Sequence, residues 1–342
     1  MDKIRVTSPA DLITALPSIL GFTPTRSVVL VCMTGVDAKR VGTVMRVDLP
    51  DPNELFDADA TPIESIAAHC DRHTVPAVEI VVVEDRFPKG WTPHQEFIRT
   101  LRRTLAKAGT AVRDPRFTPT IVAGARWGTY GSSAGGMLAD PNTSAVAAAH
   151  VVAGRVIHAD RAELVSTFAP DPVDLPGLRA ALTDAEATTG SASVQYATVL
   201  SVLDLYSLSG TALTVTDLTN VGVALMNLTV RDACFGLAIG DHADLVGRLW
   251  VYLTRVLPAP MRAEAAVLAA NSFYLRGEGP LAGEALDVAL SCVPNHRMAT
   301  LLRTALQGGL TPGQLRSLSE AGAATAVEGL TAPEAAGIAV TR

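Results

Sequence analysis

The sequence predicts an α/β (α+β) front half, a mixed sheet with helical cover, followed by an all-α part holding a tetratricopeptide-like helical hairpin. Three observations predict it. Apolar, β-branched runs alternate with amphipathic patterns over residues 1–130. Strand patterns nearly vanish after residue 142. Small residues then recur at helical-hairpin offsets from Ala270 onward. A chain of 342 residues with 48% hydrophobic content exceeds one typical core, so two packed units are expected.

The elements follow in order. Ser8-Pro9-Ala10-Asp11 starts a helix, with Ser8 as N-cap and Pro9 at the first helical position. Leu12, Ile13, Leu16, Ile19 and Leu20 supply its apolar face, and Gly21 closes it. Ser27 to Met33 is a continuous apolar run, as a strand covered on both faces requires. Gly35-Val36-Asp37 turns the chain into a second strand, Val41 to Leu49, which Pro50 and Pro52 end. A helix from Pro62 to His73, a strand from Ala77 to Val83 and an amphipathic helix from Pro93 to Ala108 come next. Thr120 to Trp127 is expected as the last strand.

Residues 131–142, within the Gly/Ser-rich stretch Gly128 to Asn142, are expected as a linker, and residues 143–315 as the helical domain. Helices are expected over Thr143 to Gly154, Arg161 to Phe168, Leu178 to Leu208, Val215 to Leu228 and Asp244 to Leu257. Asp217, three residues after Thr214, marks one helix start. Ala270, Phe273, Gly277, Ala282, Leu286, Ala289 and Pro294 match the tetratricopeptide offsets once, so the pattern gives one hairpin rather than an array. Arg297 to Leu306 is the next helix, and residues 316–342 read as a weakly ordered tail.

Composition excludes several functions. A net charge of −6 and a pI near 5.7 argue against nucleic acid, which needs a concentrated basic face. The densest basic stretch, Arg99, Arg102, Arg103 and Lys107, follows helical spacing and reads as a solvated face. Of 28 basic residues only Lys3, Lys39, Lys89 and Lys107 are lysine, a GC-rich coding signature. Cys32, Cys70, Cys234 and Cys292 lack any C-x-x-C pair, and three of the four read as small core residues. The first 22 residues lack a cleavage signal, and no apolar stretch suffices to span a bilayer, so the expectation is a cytoplasmic protein.

Five residues stand out as a candidate ligand site. Arg46 and Asp48 lie two apart on a strand, so they leave one face while Met45, Val47 and Leu49 leave the other. Charges among apolar strands line a pocket or pair with a neighbour. Arg26 and Ser27, in the loop from Phe22 to Ser27, could receive an anion, although a turn fixed by Pro24 accounts for the loop as well. Arg126 lies near a strand end, where open α/β sheets bind ligands. His69 and His73 have the i, i+4 spacing of a helical zinc pair, yet no second ligand cluster accompanies them. Pro76 also makes this a helix C-terminus, where the dipole favours His. The loop Gly128 to Gly136 lacks the Lys of a P-loop, and Ser132 and Ser133 lack the G-x-S-x-G elbow. His242 and His296 read as capping or surface residues. No pattern calls for a cofactor.

Several of these segments together resemble a known family. Ser8-Pro9-Ala10-Asp11-Leu12, Leu20-Gly21-Phe22, Ser27-Val28-Val29 and Arg46-Val47-Asp48-Leu49-Pro50 resemble the start of the actinobacterial domain family of unknown function DUF4192. Ala153-Gly154-Arg155, Ala169-Pro170-Asp171, Val230-Arg231-Asp232-Ala233 and the hairpin around Ala270 to Pro294 extend the resemblance over residues 4–315. It implies an α/β front, a helical rear, and a gene in a GC-rich actinobacterium or one of its phages; it implies no activity. Where relatives carry a Cys pair after an Arg-Trp-Trp-like strand, this chain has Arg126-Trp127-Gly128 and then Gly/Ser. A metal or redox role for that pair does not carry over. The functional expectation is a non-enzymatic module that binds a protein partner or forms a homo-oligomer. The alternative is an enzyme or sensor for a small anionic ligand, a nucleotide or phosphometabolite, at the sheet edge.

Overall fold

The structure, a computed structural model, describes residues 8–35, 37–49, 51, 63–86, 92–152, 154–171, 177–185, 190–209 and 213–331. It divides into two compact units, residues 1–164 and 165–342.

In the first unit, α1 (Pro9–Leu20) begins where Ser8 accepts a hydrogen bond from the Asp11 amide at 3.1 Å and ends at left-handed Gly21, φ 78°. Strands β1 (Ser27–Thr34) and β2 (Arg40–Asp48) form the expected antiparallel hairpin; Val36 of its turn lies outside the described residues. The register slips between Val31 and Met33, leaving one extra residue on β2. Such a bulge twists an edge strand and blunts its unpaired side. Helix α2 (Ile63–Arg72), strand β3 (Ala77–Val83) and helix α3 (Gln95–Lys107) follow close to their expected bounds; Pro62 is outside the described residues. Strands β4 (Ala111–Val112), β5 (Arg116–Thr118), β6 (Arg126–Thr129) and β7 (Gly135–Met137) complete a seven-stranded sheet. Its order is β2-β1-β3-β5-β6-β7, with β4 also beside β3. β3 runs parallel to β4 and β5, and every other pairing is antiparallel.

Side-chain alternation divides this sheet cleanly. Val28, Leu30, Cys32, Leu49, Val78, Ile80 and Val82 join Ile63, Ile66 and Cys70 of α2 and Phe97, Ile98, Leu101 and Leu105 of α3 in one core. Val29, Val31, Val81 and Val83, of opposite parity, are fully buried too, so the central strands are covered on both faces.

Two expectations are corrected here. The strand expected at Thr120–Trp127 forms at Arg126–Thr129, because residues 120–125 turn through Gly124 at φ 76°. The segment expected as a linker, residues 131–142, supplies β7 and a short 3-10 turn, Pro141–Thr143. Glycine is required there by close approach: a Cβ on Gly135 would lie 2.5 Å from the Trp127 carbonyl oxygen. What looked like a flexible composition is a strand packed tightly on its neighbour. Helix α4 (Ala145–Val152) then packs on α1, within the same unit.

The division between units falls in α5 (Arg161–Ser166). The second unit contains α6 (Leu178–Ala185), α7 (Ala192–Ser209), α8 (Val215–Leu225), α9 (Leu228–Cys234), α10 (Ala243–Val256), α11 (Met261–Leu275), α12 (Gly279–Cys292), α13 (Arg297–Gln307) and α14 (Pro312–Thr331). The single helix expected over Leu178–Leu208 is two helices, and residues 186–189 between them lie outside the described residues. Thr214 and Asp217 form a reciprocal capping box at the start of α8. The expected hairpin is α11 and α12, turning at Gly277 with φ 76°. Ala263, Ala266, Ala270, Ala282, Ala285 and Ala289 are essentially inaccessible, so small side chains let these helices approach closely. The tail expected to be weakly ordered is helical as far as Thr331, where Leu315, Ala323, Ala326 and Leu330 are buried. Their helical spacing was masked in the sequence by the Ala and Gly between them. Residues 332–342 are outside the described residues.

Candidate functional site

Register brings the sheet's chemistry to one end. Ser27 opens β1 opposite Asp48 of β2 on one side and Val83 of β3 on the other, and Val83 pairs with Thr118 of β5. Parallel strands β3 and β5 finish here, the position at which open α/β sheets bind ligands. Arg126 opens β6 at the same end.

The structure joins three of the five candidates directly. Arg46 Nε donates to Ser27 Oγ at 2.8 Å, and its terminal nitrogen donates to the Asp48 carboxylate. The Arg46 guanidinium also lies 5.7 Å from the centre of the Phe22 ring. Ser27 is fully buried and donates to the Thr25 carbonyl at 2.5 Å. Asp48 takes a second ion pair from Arg161 at 3.6 Å. As the alternation predicts, Met45, Val47 and Leu49 turn the other way, into or against the core.

The remaining two candidates stand apart. Arg26 holds left-handed backbone, φ 45°, and donates to Asp85 at 3.0 Å rather than joining Arg46. Arg126 is exposed, three strand spacings from β1, roughly 14 Å. Its side chain meets no partner among the described residues. Arg26, Arg46 and Arg161 therefore each already face a carboxylate, the last two sharing Asp48.

A second cluster at this end is invisible to spacing arguments. Glu84, directly after β3, has a side chain with no exposure. It accepts from the Arg86 amide at 3.0 Å, from Arg86 Nε at 2.8 Å and terminal nitrogen at 2.7 Å, and from His94 Nε2 at 2.8 Å. Burial alone would raise the Glu84 carboxyl; the bonds from Arg86 and His94 outweigh it and hold it at about 2. Tyr130, buried nearby with its hydroxyl donating to the Pro93 carbonyl at 2.7 Å, is pushed upward by burial and then by the charge of Glu84. The sequence signal was slight: Glu84-Asp85-Arg86 closing an apolar run.

The helical unit carries a matching trio. Glu264 of α11 lies 3.2 Å from the Arg231 guanidinium of α9 and 3.1 Å from His296 Nε2. His296 caps α13, its Nδ1 accepting from the Ala299 amide at 3.1 Å, which leaves Nε2 to carry the ring proton facing Glu264. That contact is at ion-pair distance but off the hydrogen-bond line, since Nε2 makes no well-aligned bond. Burial would raise Glu264, and His296 and Arg231 together hold it below its usual range.

His69 and His73 do meet, ring centres 4.5 Å apart. Among the described residues no group of three His, Cys, Asp or Glu side chains is placed to hold a metal ion, so the pair gains no third ligand there.

Fold and site thus define a class: a two-unit protein, a mixed sheet with a charge-paired end followed by a helical unit. The chain belongs to the family described as Domain of unknown function (DUF4192), whose model matches residues 9–313. No curated protein and no solved structure matches it. No single helix among the described residues is long and apolar enough to cross a membrane.

Proposed function

We propose that this chain is a non-catalytic cytoplasmic module that engages a protein partner, or a second copy of itself, through α7 of the helical unit. One observation carries the reading. Val199, Val202 and Tyr206 bury one face of α7, with Tyr206 stacked on Tyr252 of α10. The adjoining face repeats Val194, Ala197, Ser201, Leu205 and Leu208 at helical spacing and is exposed, Leu208 to 86%. Beside it runs an open groove of about 300 Å³, walled by α7 and rimmed by Asp217 and Asn220 of α8. An apolar stripe with small residues at its centre and a polar rim suits an amphipathic helix laid alongside.

Sedimentation of the pure protein over a wide concentration range, with crosslinking in native extract, tests this. Self-association or a crosslinked partner lost in Leu205→Glu supports the reading. A monomer whose crosslinks are indifferent to that substitution overturns it.

The alternative, a small anionic ligand held by Arg26, Ser27, Arg46, Asp48 and Arg126, has weaker support. All but Arg126 among those arginines already face a carboxylate, and an incoming anion would compete with Asp48 and Asp85.

A further inference from the structure

The pattern on α7 also selects its partner, an inference that rests on the reading of α7 above and narrows it. Asp204 is the one charged residue among the eighteen of this helix. A helix so apolar on every side is normally covered on every side. Yet Val194, Leu205 and Leu208 are exposed by 58%, 44% and 86%. Unmet polar groups do not interrupt that surface. The hydroxyls of Thr198 and Ser201 donate to the Val194 and Ala197 carbonyls, one turn back, each at 3.0 Å.

The spacing of the stripe is self-complementary. Val194, Ala197, Ser201, Leu205 and Leu208 are separated by three, four, four and three residues, an order that reads the same from either end. A second α7 laid antiparallel, about a two-fold axis at Ser201, therefore meets the stripe in register. Leu205 then comes level with Ala197 of the second copy, and Leu208 with Val194. Ser201, at the crossing, is small enough to let the two backbones approach. The open groove of about 300 Å³ runs past Ala197, Thr198 and Ser201, so room for the incoming leucine lies where the short side chains stand.

Length and charge agree with this occupant. The stripe spans fourteen residues, about 21 Å at roughly 1.5 Å per residue. Asp204 of each copy would lie six residues from the other along the axis, about 9 Å, close to one screening length at physiological ionic strength. A parallel pair would instead set Leu205 level with Leu205 and Ala197 level with Ala197, leaving the small positions unfilled.

We infer that the chain self-associates as an antiparallel α7 pair with its two-fold axis at Ser201, the isologous contact of a symmetric dimer. The test is sedimentation equilibrium of the full chain carrying Ala197→Lys or Leu205→Glu, each alone and the two mixed. Each variant alone is expected to weaken self-association tenfold or more, because a charge must be desolvated in the stripe. The equimolar mixture is expected to regain it, because the two substituted positions face one another across the axis with opposite charge. Recovery in the mixture also shows that both variant chains are folded. Association untouched by either variant, or a mixture that fails to regain it, overturns the inference. So does recovery on mixing Leu205→Lys with Leu205→Glu, which a parallel pair would give. A wild-type chain that stays monomeric overturns it too. Crosslinking in extract then decides the broader reading separately: a partner lost in Leu205→Glu keeps α7 as a docking face for another protein, and no such partner removes both.

Discussion

The two units each bury a glutamate between an arginine and a histidine, and they build the trio in opposite ways. In the sheet unit Glu84, Arg86 and His94 come from one strand end and the start of the next helix. In the helical unit Arg231, Glu264 and His296 come from α9, α11 and the cap of α13. Glu84 receives four short bonds, three from Arg86 alone. Glu264 receives two longer contacts, and Arg231 divides itself with Asp232 at 2.7 Å. The first cluster closes a local turn; the second fastens three helices that the chain brings together only at the tertiary level. Satisfaction is better where the partners are near in sequence, and the structural consequence is larger where they are far.

The largest expected effect breaks the second cluster. Arg231→Met should cost about 3–5 kcal/mol in urea unfolding, because it strands a buried carboxylate with His296 as its remaining partner. Since the trio joins three helices, the loss should appear across the helical unit rather than at α9 alone, which hydrogen exchange will read. A cost confined to fraying of α9 would show that the contacts are incidental to the packing of α11 and α13.

Glu84→Gln should cost about 3 kcal/mol at neutral pH, the worth of lowering a carboxyl from its ordinary value near 4.3 to about 2. The sign is fixed by the direction of the shift. The unfolded chain binds the proton more tightly, so the stabilisation is complete above about pH 4.3 and is lost as pH falls toward 2. Stability measured against pH should fall across that window in the native protein and fall less steeply in Glu84→Gln. Parallel curves would mean that Glu84 titrates normally.

Why the Arg46 and Asp48 face and much of the fold were legible, and the rest not, follows from range. Ser8 with Pro9, Thr214 with Asp217 and Gly277 each act within one turn of chain, and each does in the structure what its local chemistry dictates. The alternation that sent Arg46 and Asp48 one way and Met45, Val47 and Leu49 the other is equally local. The partners of Arg26 and Asp48, namely Asp85 and Arg161, depend on strand order and a distant helix, which period and spacing do not encode. Arg231 sits in Val230-Arg231-Asp232-Ala233, a segment that resembles the family, yet its use, clasping Glu264, needed the helices to be assembled. Residues 131–142 failed for another reason. Gly and Ser mark flexible chain and tight strand approach alike, and only the neighbouring backbone distinguishes them.

That ambiguity gives the third test. Gly135→Ala puts a Cβ 2.5 Å from the Trp127 carbonyl, and the backbone must yield. The expected cost is about 1–3 kcal/mol, with loss of amide protection along β6 and β7. A neutral substitution would return the segment to the status of a linker and remove a local element from the sheet unit.

The smallest effect on stability is expected on α7, where neither kind of cluster operates. Leu205 is 44% exposed and borders the open groove next to the buried Val202. Leu205→Glu should therefore change the unfolding free energy by no more than about 0.5 kcal/mol. Its effect should be on association alone, because a carboxylate placed in the middle of an apolar stripe must be desolvated before any partner can seat. Comparison with Arg231→Met then separates two uses of the helical unit: one residue holds the helices together, and the other offers their outer surface. If Leu205→Glu instead destabilises the fold by an amount approaching that of Arg231→Met, the stripe serves internal packing, and the binding surface must be sought elsewhere on the helical unit.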